Sequence, residues 1–431
     1  MQNNPYIAML YGPNKDLAIQ KMMSVNAEWA GLVNHHAFSD RYWGKTWGKD
    51  NYAMTDKEVI TLSALISSGL ANQTALHIHG FLGSGGTLKE LAALMHAAWR
   101  PRGSTIDPQF IDRMAGELAA YPGVEQFISD VRSNDLPLSG LDVKSPLVGF
   151  TRLQLSELAS AISAGKSEWP QLTNLMKQAQ DRGATVVEIE LILRHAEIYL
   201  GESAAIEGAQ AWNEITTTND GDLKRMYIDN VHAYFADKQF YEWLPAAEED
   251  PAFKPLFDMT LALASARAEK VETNIEEYIS LNRGITEKDY NKLAFVVVKA
   301  TRYRPGLLVV VKEFLEKMAD DKSKSAKVRT AASNVLALTE TIAQDPVRLT
   351  YGHIDRFSLG EIVALATVFA NGHTHQNEFQ SELKRAIERG LDDATFQRLA
   401  NRATRIVGYP VAMNAYIAYE QAKKIFKVDR I

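Results

Sequence analysis

The chain has 431 residues, 46% of them apolar, which is enough to bury a large core and to build two to four folding units. Its 53 acidic and 47 basic residues leave a formal net charge of -6, so no excess draws the whole molecule to a phosphate backbone or an anionic bilayer, and neither nucleic acid nor membrane is an expected partner. Cysteine is absent, which excludes disulfides, thiolate metal sites, Fe–S clusters and every cysteine-based peroxidase or nucleophile mechanism.

The first sixteen residues carry no basic cluster followed by a long apolar run, and no later segment has the uninterrupted apolar length of a bilayer span. A cytoplasmic location is expected. Asp16 to Phe38 shows apolar residues at helical spacing and predicts one or two helices. Next come Tyr42, Trp43 and Trp47 around Gly44 and Gly48, a bent segment whose aromatics either fill core gaps or line a substrate.

Thr55-Asp56-Lys57-Glu58 has the pattern of a capping box, and Val59, Leu62, Ile66 and Leu70 follow it as an apolar stripe. A second helix holds Leu76 to Leu82. Gly83 to Gly86 ends it, and Thr87 with Glu90 caps a third helix through Leu91, Leu94, Met95 and Ala98. The same signal of a Gly turn and a capped helix recurs at Gly183 with Thr185 and Glu188, at Gly284 with Thr286 and Asp289, and at Gly390 with Asp392. The steps from Gly85 are 98, 101 and 106 residues. In each, Gly supplies a left-handed residue that closes one helix, and the Thr or Asp two positions on caps the next.

This spacing suits a small all-helical domain. Strand signals are few, so the expectation is an all-α chain of four tandem units, 1–110, 111–218, 219–325 and 326–431, arranged as two fused halves. Asp130 to Leu147 and Glu214 to Asp222 read as polar connections, and the charge-rich Lys317 to Arg329 as a solvated helix face.

Among residues able to do chemistry, Glu58 shares a helical face with Leu62 and Leu65. It is either a desolvated carboxylate suited to proton transfer or the structural partner of Thr55 in a cap. His77 and His79 are two apart on a helix, about 200° from each other, so that helix does not aim both at one metal. Each is read as a core-edge histidine or a functional one, and His96, a turn from Trp99, as packing or function. His373 and His375 with Glu378 and Glu382 offer a weak metal set without an HExxH, and no metal site is expected. No dinucleotide fingerprint, Walker loop, GxSxG elbow or kinase signature is present, which disfavours nucleotide-dependent chemistry and serine hydrolysis.

Several of these features together form a pattern. Trp43-Gly44 with Trp47, the helix from Glu58, Gly69 eleven residues later, His77 nineteen after Glu58, and Gly85-Gly86-Thr87-Leu88-Lys89-Glu90-Leu91 resemble the carboxymuconolactone decarboxylase family, which is related in fold to alkylhydroperoxidase D. The resemblance covers Phe38 to Ala98. It implies small all-helical units that assemble as rings, here as a covalent pseudo-oligomer. The peroxidase branch uses a CxxC at positions occupied here by Leu70 and Gln73, so disulfide-based peroxide reduction does not carry over.

The decarboxylase branch is cofactor-free and shuttles protons on a small carboxylated lactone. Carried over, it makes His77 the proton-moving residue and Glu58 its orienter or second acid/base. Trp43 and Trp47 become a wall, and Arg41, Lys45 or Arg100 a countercharge for a substrate carboxylate, with His79 and His96 as further substrate neighbours. The other units lack a histidine at the position of His77, with Leu175 or Met176, the vicinity of Glu276, and Gln380 to Glu382 there instead; the fourth alone keeps the Glu-to-Gly interval, at Glu361 and Gly372.

The expected function is therefore a cofactor-free lyase or isomerase acting on a small carboxylated or carbonyl-containing molecule, with one competent site centred on the first unit and a homodimer as a possible further assembly. The alternatives are a biosynthetic cyclase or oxidase on the same scaffold, and a non-catalytic binding or assembly protein on a decayed enzyme fold.

Overall fold

A computed structural model describes residues 54–103, 105–133, 137–145, 147–216, 253–265, 270–282, 284–301, 305–344, 353–354, 357–371 and 376–428, together with Gln20 and Arg267. The described residues are helical, as expected, apart from connections and the two-residue antiparallel pair His353–Ile354 with Phe357–Ser358. Two compact units divide the chain: 1–234 with 408–413, and 235–407 with 414–431.

In the first unit, α1 (Met54–Ser67), α2 (Ala71–Gly83) and α3 (Leu88–Trp99) form a triad. After α4 (Pro108–Glu117) and α5 (Val124–Arg132), which pack against α2 and α3, the triad recurs as α6 (Arg152–Ala164), α7 (Trp169–Asp181) and α8 (Val186–Leu200), followed by α9 (Glu202–Ile215). The first helices of the two triads, α1 and α6, pack on each other, α3 lies on α6, and α8 lies on α1. Small hydroxyl side chains let α1 and α6 come close: Ser63 Oγ donates to Ser156 Oγ at 2.9 Å, and Ser68 meets Ser163 at 3.1 Å.

Every residue of α1 from Thr55 to Ser67 is buried. The apolar stripe read from the sequence is therefore one face of a wholly enclosed helix, whose polar residues must find partners inside the protein. Asp56 does so with Arg152, the first residue of α6. Arg152 Nε donates to Asp56 Oδ1 at 2.9 Å, and its Nη1 donates to Glu90 Oε1 at 2.6 Å, which joins the N-terminal turns of α1, α3 and α6.

The second unit repeats the plan. Its triads are α10 (Phe253–Ala264), α11 (Lys270–Leu281) and α12 (Glu287–Ala300), then α15 (Leu359–Asn371), α16 (Gln376–Glu388) and α17 (Asp393–Val407). Between them run α13 (Pro305–Asp320) and α14 (Ala326–Gln344), and α18 (Tyr409–Val428) follows. Here too the first helices, α10 and α15, pack together, and α17 lies on α10. In the charge-rich stretch before α14, Lys324 bridges to Glu272 and Glu276 of α11.

Three of the four predicted Gly turns show the expected conformation. Gly85, Gly183 and Gly390 take φ of 102°, 86° and 99°, the left-handed region where a side chain is disfavoured. Capping boxes form at Thr87 with Glu90, Thr185 with Glu188, and Thr286 with Asp289, and a further one at Thr151 with Gln154 opens α6. Gly86 has a different reason for being glycine: a Cβ there would lie 2.4 Å from the ring of fully buried Phe81. Gly86→Ala is expected to lower stability by about 1–3 kcal/mol through overpacking, read as a shift of the urea midpoint at unchanged m.

Candidate functional site

Thr55 and Glu58 do not form the cap that their spacing suggests. Thr55 lies within α1, and its Oγ1 donates to the carbonyl of Ser84 at 2.6 Å. Glu58 is thereby freed from the helix end and turns inward. It is 0% exposed, and its Oε2 lies 3.3 Å from Nδ1 of His77, which is itself 5% exposed. Its second oxygen, Oε1, is buried with no hydrogen-bond partner among the described residues. Of the two roles open to Glu58 in the sequence, the structure shows the desolvated carboxylate.

The electrostatics follow from that burial. Desolvation pushes the Glu58 carboxyl above its ordinary value, and the adjacent His77, by charge and by hydrogen bond, pulls it part of the way back. A proton on either group can carry the hydrogen bond between them. If the carboxyl holds it, Oε2–H donates to Nδ1; if the imidazole holds it, Nδ1–H donates to the carboxylate. Either arrangement leaves Nε2 of His77 as the nitrogen directed away from Glu58, and a carboxyl hydrogen-bonded to an imidazole is a pairing that general acid–base chemistry uses.

The second triad completes the surroundings. Tyr199, near the end of α8, meets His77 edge to face, with ring centroids 5.3 Å apart and planes at 85°. The same tyrosine contacts His195, one helical turn earlier, at 5.5 Å. Thr61 Oγ1 lies 2.8 Å from Nε2 of His195, and a second hydrogen bond joins that imidazole to the backbone of Lys57. Burial, together with the charges of Lys57 and His77, lowers His195 to about 3, so the ring is neutral at physiological pH and accepts from the Thr61 hydroxyl. Lys57 is also buried, which lowers its ammonium to about 8.

Thus α1, α2 and α8 bring together Glu58, Thr61, His77, His195 and Tyr199, with Lys57 alongside. His195 and Tyr199 are site residues that the sequence pattern does not single out; both stand on the capped helix after the second Gly turn. Only a three-dimensional arrangement joins residues 134 apart, the separation of Thr61 and His195.

Other expected neighbours lie elsewhere. His79 faces α4, where its Nε2 is 2.9 Å from Glu117 Oε1 and its Nδ1 is 3.0 Å from the hydroxyl of Tyr121. Burial works to raise Glu117, but hydrogen bonds from His79 and Arg113 outweigh it and hold that carboxyl low. His96 Nε2 contacts the carbonyl of Asp130 at 3.2 Å and ties α3 to α5. Arg100 is three-quarters exposed and faces Glu157 at 3.8 Å. These three histidine and arginine positions stabilise helix contacts and are not assembled with His77, because their helix faces turn toward α4, α5 and α6.

Arg41, Trp43, Lys45 and Trp47 lie outside the described residues, as do His373 and His375. Among the described residues no group of three or more histidines and carboxylates is placed to hold a metal ion, and no helix is long and apolar enough to cross a membrane.

Compared with known proteins, the chain finds no match among family models, curated proteins or solved structures.

Proposed function

We propose that this protein is a cofactor-free proton-transfer enzyme, a lyase or isomerase acting on a small carboxylated or carbonyl-containing molecule. The observation that carries the reading is Glu58, fully buried, with one oxygen on His77 and the other without a partner among the described residues. A desolvated carboxyl is costly to fold around. Burial raises this carboxyl above its ordinary value, which suits it to hold a proton and pass it through an imidazole. The resemblance of Phe38 to Ala98 to the carboxymuconolactone decarboxylase family supports the same chemistry and suggests tandem alkylhydroperoxidase D-like units.

In this reading His77 takes the proton next to the substrate carbonyl or carboxylate and returns it to the product, while Glu58 holds the imidazole and balances its charge. Lys57 is the cation of the described site that offsets negative charge on the substrate, in place of Arg100.

The test is deuterium exchange and decarboxylation on a panel of carboxylated lactones and 2-oxo acids in D₂O, followed by proton NMR. Wild-type protein is expected to catalyse one of these, and His77→Gln to lose about 10²–10⁴ of the rate. Silence of the wild type across the panel, or full activity in His77→Gln, overturns the reading.

A second reading, binding without catalysis, draws on the second unit. Pro255 stands at the Glu58 position there, and Glu361 of its second triad accepts from Arg389 Nε at 2.7 Å.

A further inference from the structure

The two units can be aligned residue by residue through their helix ends. In α1, Ser68 N donates to Ala64 O and Leu70 N to Leu65 O; in α10, Ser265 N donates to Leu261 O and Arg267 N to Ala262 O. Thr61 therefore corresponds to Asp258. The residues before α8 and α17 are the N-caps Thr185 and Asp392, so His195, ten residues after Thr185, corresponds to Arg402, ten after Asp392. Both pairs form in their own units. Thr61 hydrogen-bonds His195, and Arg402 grips Asp258 through Nε and Nη2 in a two-pronged ion pair.

One scaffold position thus holds an uncharged hydroxyl–imidazole pair in the unit that has Glu58 and His77, and a carboxylate–guanidinium pair in the unit that has neither. Both pairs pin the first helix of one triad to the third helix of the other, so pinning alone does not explain the difference.

We propose that His195 is a positioning residue of the Glu58–His77 pair, acting through Thr61 and Tyr199, and that the second unit carries the same position in a closed form, locked by Asp258 and Arg402. This deepens the function proposed above and rests on it. Thr61 lies three residues after Glu58 and so shares its helical face. A bond from Thr61 to His195 fixes the rotation of α1 that aims Glu58 at His77. Tyr199 stands between the two imidazoles, contacting both, and sets the face that His77 presents.

Charge supplies the second half of the argument. Among the described residues, the titratable groups that act on His195 are Lys57 of α1 and His77 of α2, and His77 also acts on Glu58. A permanent cation at position 195 would oppose the positive form of His77 and favour the ionised form of Glu58 without any return of the proton. Arginine is the residue that serves the locked unit and would silence the open one.

The experiment transfers the lock. Thr61→Asp with His195→Arg installs in the first unit the pair that the second unit holds at the same positions. The resting protein, without substrate, is titrated by NMR at His77 and compared with wild type and with His195→Gln, which keeps an uncharged partner for Thr61.

The swap is expected to retain helical circular dichroism, and His195→Arg alone, which adds the cation without the compensating carboxylate, to lower the His77 midpoint by about one pH unit or more. His195→Gln is expected to stay within about half a unit of wild type. A folded His195→Arg variant that leaves the His77 midpoint unchanged overturns the proposal. Should that variant not fold, Thr61→Val decides: the proposal requires a shifted His77 resonance or midpoint, and an unaltered His77 overturns it. Because the titration needs no substrate, its outcome is separate from the exchange assay that tests the proposed reaction.

Discussion

Glu58→Gln is expected to lower catalysed proton exchange by about 10²–10⁴-fold while leaving the protein at least as stable as wild type at neutral pH. Glutamine keeps the volume of the buried side chain and can still hydrogen-bond Nδ1 of His77, so packing around α1 is conserved. What it lacks is a proton to exchange. Burial raises the Glu58 carboxyl, so above the ordinary carboxylate range the unfolded chain releases a proton that the folded protein retains. Stability therefore falls as pH rises from the ordinary value through the raised one, and the variant is free of that slope.

Urea titrations at several pH values check the stability half of this prediction, and D₂O exchange checks the catalytic half. A variant that loses stability at neutral pH would mean that Glu58 serves the fold. One that keeps full exchange would mean that His77 acts without it.

Arg152→Ala is expected to cost about 3–5 kcal/mol, the largest stability loss of any single substitution considered, because it leaves two enclosed carboxylates without their cation. The Asp56 side chain is 2% exposed and that of Glu90 12%. Arg152 itself sits at the first position of α6, where the helix dipole disfavours positive charge, so its place there rests on the two acids it holds.

Loss of the guanidinium also releases three helix N-termini that it joins. Urea unfolding gives the magnitude, and the combination Arg152→Met with Asp56→Asn should recover part of it by removing the stranded charge together with its partner. A loss below about 1 kcal/mol for Arg152→Ala would class the cluster with surface ion pairs.

Some of this architecture is legible along the chain and some is not. The turns at Gly85, Gly183 and Gly390 and the caps at Thr87, Thr185 and Thr286 were readable because a cap is a bond between residues three apart, whose partners are fixed by local geometry. The same logic misled at Thr55. Its pattern matches those of the true caps, yet the hydroxyl bonds Ser84 across a helix–helix contact, and Glu58 goes to His77. His79 and His96 looked comparable to His77 in sequence because all three lie on helix edges. The difference came from the helices that cover those edges: α4 and α5 for the former two, α8 for the latter. Tyr199 and His195 carry no local sign of their partners.

The sequence by itself determined that no thiol chemistry is open to the chain, that the chain is helical, and that one helical motif returns around a Gly turn. Those properties depend on composition and on hydrogen bonds spanning a single turn. Tertiary structure alone decided that α1 would be enclosed on all sides, that Glu58 would lose its water and face His77, and that the second triad would supply His195 and Tyr199. Desolvation and long-range pairing are set by whichever helix packs over a residue, and no local pattern encodes that neighbour.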